Sequence, residues 1–252
     1  MRILLGLAVA MIGAGCQTSD FSADLSYARG AGLGYRNAGL LDPGTLYVYD
    51  QHTATLQQLT QEVRLTKKPA TEAPTTLRSS RVEGVVLTGS FPSDLVKGEV
   101  AAAIGTKVSF YAENAVRDDY TGVFTALSEA YTAGAAAGDD MLGRWRVRDV
   151  VRQRGKFYVV VNKFVRADKA SISVGGLQND KVAELSLTVP GFATPIKVSV
   201  TQANAVDCSG KASPCFFDVS VIKPYFGPSG KLNFRDGEGV DRARLTEAIA
   251  KL

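Results

Sequence analysis

The 252-residue chain has a single histidine, three cysteines and no apolar stretch long enough to cross a bilayer as a helix. Each shortage removes a class of function. With only His52, a Ser-His-Asp hydrolase would have to recruit a residue from the polar segment Asp50-Gln51-His52-Thr53, which reads as a solvated hairpin turn. A metal site is not expected either, because no third cysteine lies near Cys208 and Cys215 and the histidine is far away in sequence. The Gly-x-Ser-x-Gly elbow, the His-Glu-x-x-His pair and the P-loop are all missing. Lys and Arg number 29 against 25 Asp and Glu, but they form no run dense enough for a nucleic-acid surface. The strongest basic cluster is Arg144, Arg146, Arg148, Arg152 and Arg154. It alternates with Trp145, Val147 and Val151 and reads as the solvated face of a strand, an anionic lipid or glycan contact being the sharper alternative. Gly30-Ala31-Gly32-Leu33-Gly34 follows no strand and opens no helix, so it is not read as a phosphate loop.

What is present is most informative at the N-terminus. Arg2 is followed by the apolar run Ile3–Ile12, then Gly13-Ala14-Gly15, then Cys16 and polar residues from Gln17. One charge, a short apolar core and a small-residue cleavage site make a secretory signal over residues 1–15. The core rises only about 15 Å as a helix, half the hydrocarbon thickness, so it does not anchor by spanning. Ala8-Val9-Ala10 is a second small-x-small site, and cleavage there would give a soluble secreted protein. Gly13-Ala14-Gly15-Cys16 resembles the lipobox of bacterial lipoproteins. The resemblance implies cleavage before Cys16, a diacylglyceryl group on its sulfur and an acylated amine, with palmitate as the expected chain. It also implies retention at the outer membrane, facing the periplasm, since Gln17 is not the aspartate that holds members of that family at the inner membrane.

Setting Cys16 aside for lipid leaves Cys208 and Cys215 as an even pair in an oxidising compartment. The turn-rich Ser-Gly-Lys-Ala-Ser-Pro between them can bring two strand ends together, so a disulfide is expected. Closing so short a loop stabilises by about 2.5 kcal/mol in the chain-entropy picture.

A hydrophobic content of 45% and a charged content of 21% place the rest among ordinary globular proteins. Residues 16–40 are rich in Ser, Gly and Ala and read as a lipidated tether, although Phe21, Tyr27 and Tyr35 are able to dock on the body. Residues 41–143 read as an α+β region and 144–252 as a mainly antiparallel β region with a C-terminal helix, with 41–252 as a single domain the alternative. Strands are expected at Thr45–Tyr49, Ala54–Leu59, Gln61–Leu65 and Arg81–Leu87, with a surface loop over Lys67–Thr76, and Thr106–Tyr111 reads either as a strand or as the approach to the next helix. A helix starts after Phe91-Pro92-Ser93-Asp94. A second helix is expected from Asp118, because Tyr120, Val123, Phe124, Leu127 and Tyr131 fall at helical spacing. Six further strands are expected at Trp145–Val151, Phe157–Val165, Ala170–Val174, Val182–Val189, Ile196–Thr201 and Phe216–Ile222. Leu245, Ala248, Ile249 and Leu252 make the stripe of a last helix capped by Asp241. The expected class is therefore α+β, with antiparallel sheet and a few packed helices.

Paired carboxylates are the remaining route to catalysis, since glycosidases need two held about 5–10 Å apart. The doublets Asp118-Asp119 and Asp139-Asp140 are candidates, but adjacent residues on a helix face different ways and both doublets stand where helix caps belong. Asp236, Glu238 and Asp241 could begin a calcium shell, yet a turn into a capped helix explains them equally well. No cofactor is expected. The expected role is a lipid-anchored envelope protein that binds or assembles without catalysis, with an envelope protein or glycan as partner. The alternatives are an envelope glycan or peptidoglycan hydrolase using paired carboxylates, and a structural subunit of a secretion or surface machine.

Overall fold

The computed structural model describes residues 21–37, 41–69, 75–175, 177–178, 182–190, 195–201 and 214–252. Strands β1 (Phe21–Asp24), β2 (Arg29–Gly30) and β3 (Gly34–Arg36) come first, then the hairpin of β4 (Thr45–Asp50) and β5 (Thr55–Glu62). Short strands β6 (Thr66–Lys67), β7 (Thr75–Ser79), β8 (Val82–Glu83) and β9 (Val86–Thr88) precede helix α1 (Asp94–Gly105). The long strand β10 (Val108–Thr121) runs into α2 (Val123–Ala136), and the short helices α3 (Met141–Arg144) and α4 (Val147–Arg152) lead to β11 (Lys156–Arg166). Strands β12 (Lys169–Val174), β13 (Leu177–Gln178), β14 (Val182–Leu187) and β15 (Ile196–Thr201) follow. The chain closes with β16 (Pro214–Phe226), β17 (Leu232–Asp236) and helix α5 (Arg242–Ile249). The fold is α+β, as expected, and mostly antiparallel.

The larger sheet is centred on β11, which pairs with β4, β10 and β16. Its alternating side chains divide the core in two. Tyr158 and Val160 face α2, α3 and α4, packing with Leu127, Met141, Trp145, Val147 and Val150. Phe157, Val159 and Val161 face the other way and pack with Leu245, Ala248 and Ile249 of α5. A strand buried on both faces reads as a continuous apolar run, and Phe157–Val161 is one. A smaller sheet in the order β14-β15-β1-β9 packs with α1 and the first half of β10 in a third cluster that includes Leu25, Val100, Ile104, Phe110 and Val198.

Several expectations are corrected. Residues 21–36 are not a tether: β1 pairs with β9 and, in parallel, with β15, while β3 pairs with β16. Leu25 and Tyr35 have no exposed surface, so the apolar residues in this glycine-rich stretch outweigh its composition. Trp145–Val151 is not a strand but the junction and body of α3 and α4. Alternation over Trp145 and Val147 is too short to separate the two periods, and Arg146 at φ 51° turns the chain between two short helices. Asp118, Asp119 and Tyr120 do not begin a helix; they belong to β10. Gly122, at φ 73°, turns that strand into α2, so the helical spacing is real only from Val123 onward. Strand β17 was not expected, and β5 is one strand through Glu62 rather than two.

Candidate functional site

The doublet Asp118-Asp119 is pulled to opposite sides of β10. Asp118 is buried and accepts from Arg166 Nε at 2.6 Å and Nη2 at 3.0 Å, with Lys67 Nζ at 2.9 Å. Burial raises a carboxyl pKa, but the hydrogen bonds from Arg166 and Lys67 outweigh it and hold Asp118 below the ordinary carboxylate range. It therefore acts as a structural anion rather than a helix cap. Asp140 does cap a helix, accepting from Gly143 N at 3.1 Å, and Asp139 pairs with Arg144. Asp241 caps α5, its Oδ1 accepting from Ala243 N at 3.0 Å and Arg244 N at 3.1 Å. Among the described residues, no three His, Cys, Asp or Glu side chains converge as a metal site.

The other sequence candidates scatter. His52 is exposed in the β4–β5 turn, where its amide donates to Asp50 Oδ1. In the basic cluster, Arg144 and Arg146 are paired with Asp139 and Asp149 while Arg148, Arg152 and Arg154 are exposed on and after α4. Gly30–Gly34 is the tight β2–β3 hairpin, in which a side chain on Gly34 would strike the carbonyl oxygen of Phe217 at 2.2 Å. Cys215 is buried on β16, whereas Cys16 and Cys208 lie outside the described residues.

What sequence reasoning missed is a cavity of about 430 Å³ at the start of α2, bordered by β10, β11, β16 and β17. Three features meet there. First, the residue that precedes α2 at its N-cap is Gly122, whose lack of a side chain leaves the first turn with no side-chain cap. Second, Asn162 borders the cavity and is only 7% exposed, yet its Oδ1 is one of the few buried side-chain atoms with no hydrogen-bond partner among the described residues. Asn162 is the extra residue of a bulge, since Val161 opposes Val219 and Lys163 opposes Asp218. Such a bulge re-aims a side chain that regular pleating would place elsewhere. Third, charges of both signs line the rim: Lys68 and Lys163 with Asp119 and Asp236. Asp119 and Lys163 also border a neighbouring cavity of about 230 Å³ on the side of Arg29 and Arg117. Asp119 was a candidate in the sequence; Asn162 carried no signal there, because a lone polar residue inside an apolar strand does not disclose a bulge.

No family model matches the chain, and no curated protein matches it. Among solved structures it is similar to a bacterial gasdermin from Bradyrhizobium tropiciagri, at 10% identity over 86% of this chain and 85% of that one, with a TM-score of 0.31. A superposition this loose carries over neither a fold family nor a function.

Proposed function

We propose that the protein is a lipid-anchored component of the cell envelope, held at the outer membrane through Cys16, whose body binds a partner rather than catalysing a reaction. The observation that carries this reading is the apolar run Ile3–Ile12 ending in Gly13-Ala14-Gly15-Cys16. Each buried methylene of an acyl chain contributes about 0.8 kcal/mol, so two or three chains hold a domain on a bilayer durably. The cavity at α2 supports a binding role, because the uncapped first turn of the helix and charged side chains of both signs border it. Cys16→Ser is expected to move the protein from the membrane fraction to the soluble fraction, and mass spectrometry is expected to find an acylated Cys16 as the mature N-terminus. An unmodified N-terminus at another residue overturns the anchor.

Export also places Cys208 and Cys215 where a disulfide persists, and we extend the proposal to that bridge. Peptide mapping without reduction is expected to recover the two cysteines in one linked peptide. Two alkylated thiols in the oxidised protein would refute it.

One observation favours the hydrolase alternative enough to test it: Asp119 and Asp236 border the same cavity. If the body hydrolyses envelope glycan, release of reducing sugar should occur with the native protein and vanish in Asp119→Asn and Asp236→Asn. The binding reading expects no release from any of the three.

A further inference from the structure

Leu95 is the most exposed large apolar side chain among the described residues, with 74% of its surface in water. It stands on the first turn of α1, where the cap residue Ser93 accepts from Val96 N at 3.3 Å. Val96 packs against the cluster that includes Val100 and Ile104, while Leu95 stays outside it. Just before the cap, Phe91 is half-buried and Pro92 exposed, so the apolar surface continues past the helix. A lone exposed leucine is ordinary; the position of this one is what points to a partner. The Phe91 ring lies against that of Phe21, with centroids 4.7 Å apart. Phe21 opens β1 only five residues after Cys16. Even fully extended, five residues reach about 18 Å. A compact body of this size is about 45 Å across. A lipid on Cys16 therefore holds the Phe21 end of the body at the bilayer surface. Leu95, four residues past Phe91, is within about 14 Å of it. The exposed Phe226, by contrast, lies ten residues along β16 from Phe216, a member of the Phe21 cluster, and so about 33 Å from that residue.

We propose that Leu95, with Phe91 and Pro92 beside it, is where the body seats on the membrane, entering among the lipid headgroups and upper acyl carbons. The inference rests on Cys16 as the anchor and deepens that reading by naming the surface that meets the lipid. An apolar side chain leaves water on insertion, and the anchor has already met most of the entropic cost of bringing it to the surface. Asp94 and Lys97, both exposed on the same two turns, balance each other, so the contact does not require an anionic headgroup. A protein partner would suit the same apolar edge, but the bilayer is the surface that the short link keeps within reach.

The test uses the acylated full chain in phosphatidylcholine vesicles whose lipids carry bromine, a fluorescence quencher, on the upper acyl carbons. Trp145, 1% exposed, gives the baseline emission of the native protein. The emission that Leu95→Trp adds to it is expected to fall at least twofold relative to vesicles without bromine. The emission added by Phe226→Trp is expected to stay unchanged. Both substitutions alter exposed side chains, and unchanged melting temperatures check that the fold is kept. Mass spectrometry of the same preparation separates the two readings. An unacylated Cys16 overturns the anchor and this inference with it. In an acylated chain, no quenching at position 95, or as much at position 226, overturns the seat alone.

Discussion

Asp118 lies between two cations, with a side chain only 7% exposed, whereas Arg166 and Lys67 keep 34% and 47% of theirs in water. Burial works against its charge, and the hydrogen bonds from Arg166 and Lys67 restore it, so its native pKa lies below the unfolded value of about 3.9. A carboxyl depressed in this way stabilises the fold fully above its unfolded pKa, and the contribution is lost as pH falls through the native one. Asp118→Asn keeps the shape and removes the charge. It is expected to cost about 1–3 kcal/mol at pH 7, with the partial exposure of the two cations holding it below the cost of breaking a fully buried pair. Urea unfolding of both proteins at pH 7, 5 and 3 checks this: the gap should persist at pH 5 and shrink at pH 3. A gap that does not change with pH would assign the loss to packing instead. The sequence contained the doublet but not its role, because the partners Lys67 and Arg166 come from strands remote in the chain.

At the level of elements, the caps and the strands were legible for local reasons. Ser93 accepts from Val96 N and Asp241 from two amides of α5, both at positions marked by a polar residue before an apolar stripe. Strands β4, β11 and β15 show in their β-branched and aromatic content. Helix α4 was not legible, since its six residues are too few to show a helical period. Its end is held from outside by Lys223 of β16, whose Nζ donates to the carbonyl oxygens of Val150 at 2.6 Å, Gln153 at 2.6 Å and Lys156 at 2.9 Å. A cation among carbonyls at a helix C-terminus also meets the negative end of its dipole. Burial lowers the Lys223 pKa, with Arg235 adding repulsion, so three carbonyls are what this partly buried ammonium has in place of water. Lys223→Met preserves the aliphatic stem and strands all three acceptors. The expected loss is about 1–3 kcal/mol in unfolding free energy, with amide exchange fastest over residues 147–156. Uniformly accelerated exchange, or none, would show that the lysine does not hold this corner.

The N-terminal stretch decides how the whole molecule holds together. Its glycines and small polar residues read as a flexible connection, and a tether makes no energetic contribution to the body. Structurally it stitches two sheets: β1 lies between β9 and β15 in the smaller one, and β3 lies on β16 in the larger. Leu25 fills the cluster built around α1, and Tyr35 stacks on Phe217 at 5.4 Å in the cluster beneath α5. Composition could not reveal this, because the partners of both residues lie far along the chain and only the fold unites them. Emptying the two positions therefore separates the possibilities. Leu25→Ala is expected to cost about 2–5 kcal/mol and Tyr35→Ala about 3–5 kcal/mol, the usual range for large buried side chains. A tether predicts nearly nothing from either. The shape of the transition carries the second answer. If the stitch makes the sheets one cooperative unit, both variants shift the same single unfolding transition, followed in parallel by Trp145 fluorescence and by far-UV circular dichroism. Trp145 sits in the cluster beneath α2–α4, remote from Leu25. If Leu25→Ala leaves the fluorescence transition in place while part of the dichroism signal melts early, the two sheets unfold separately and residues 21–36 only connect them.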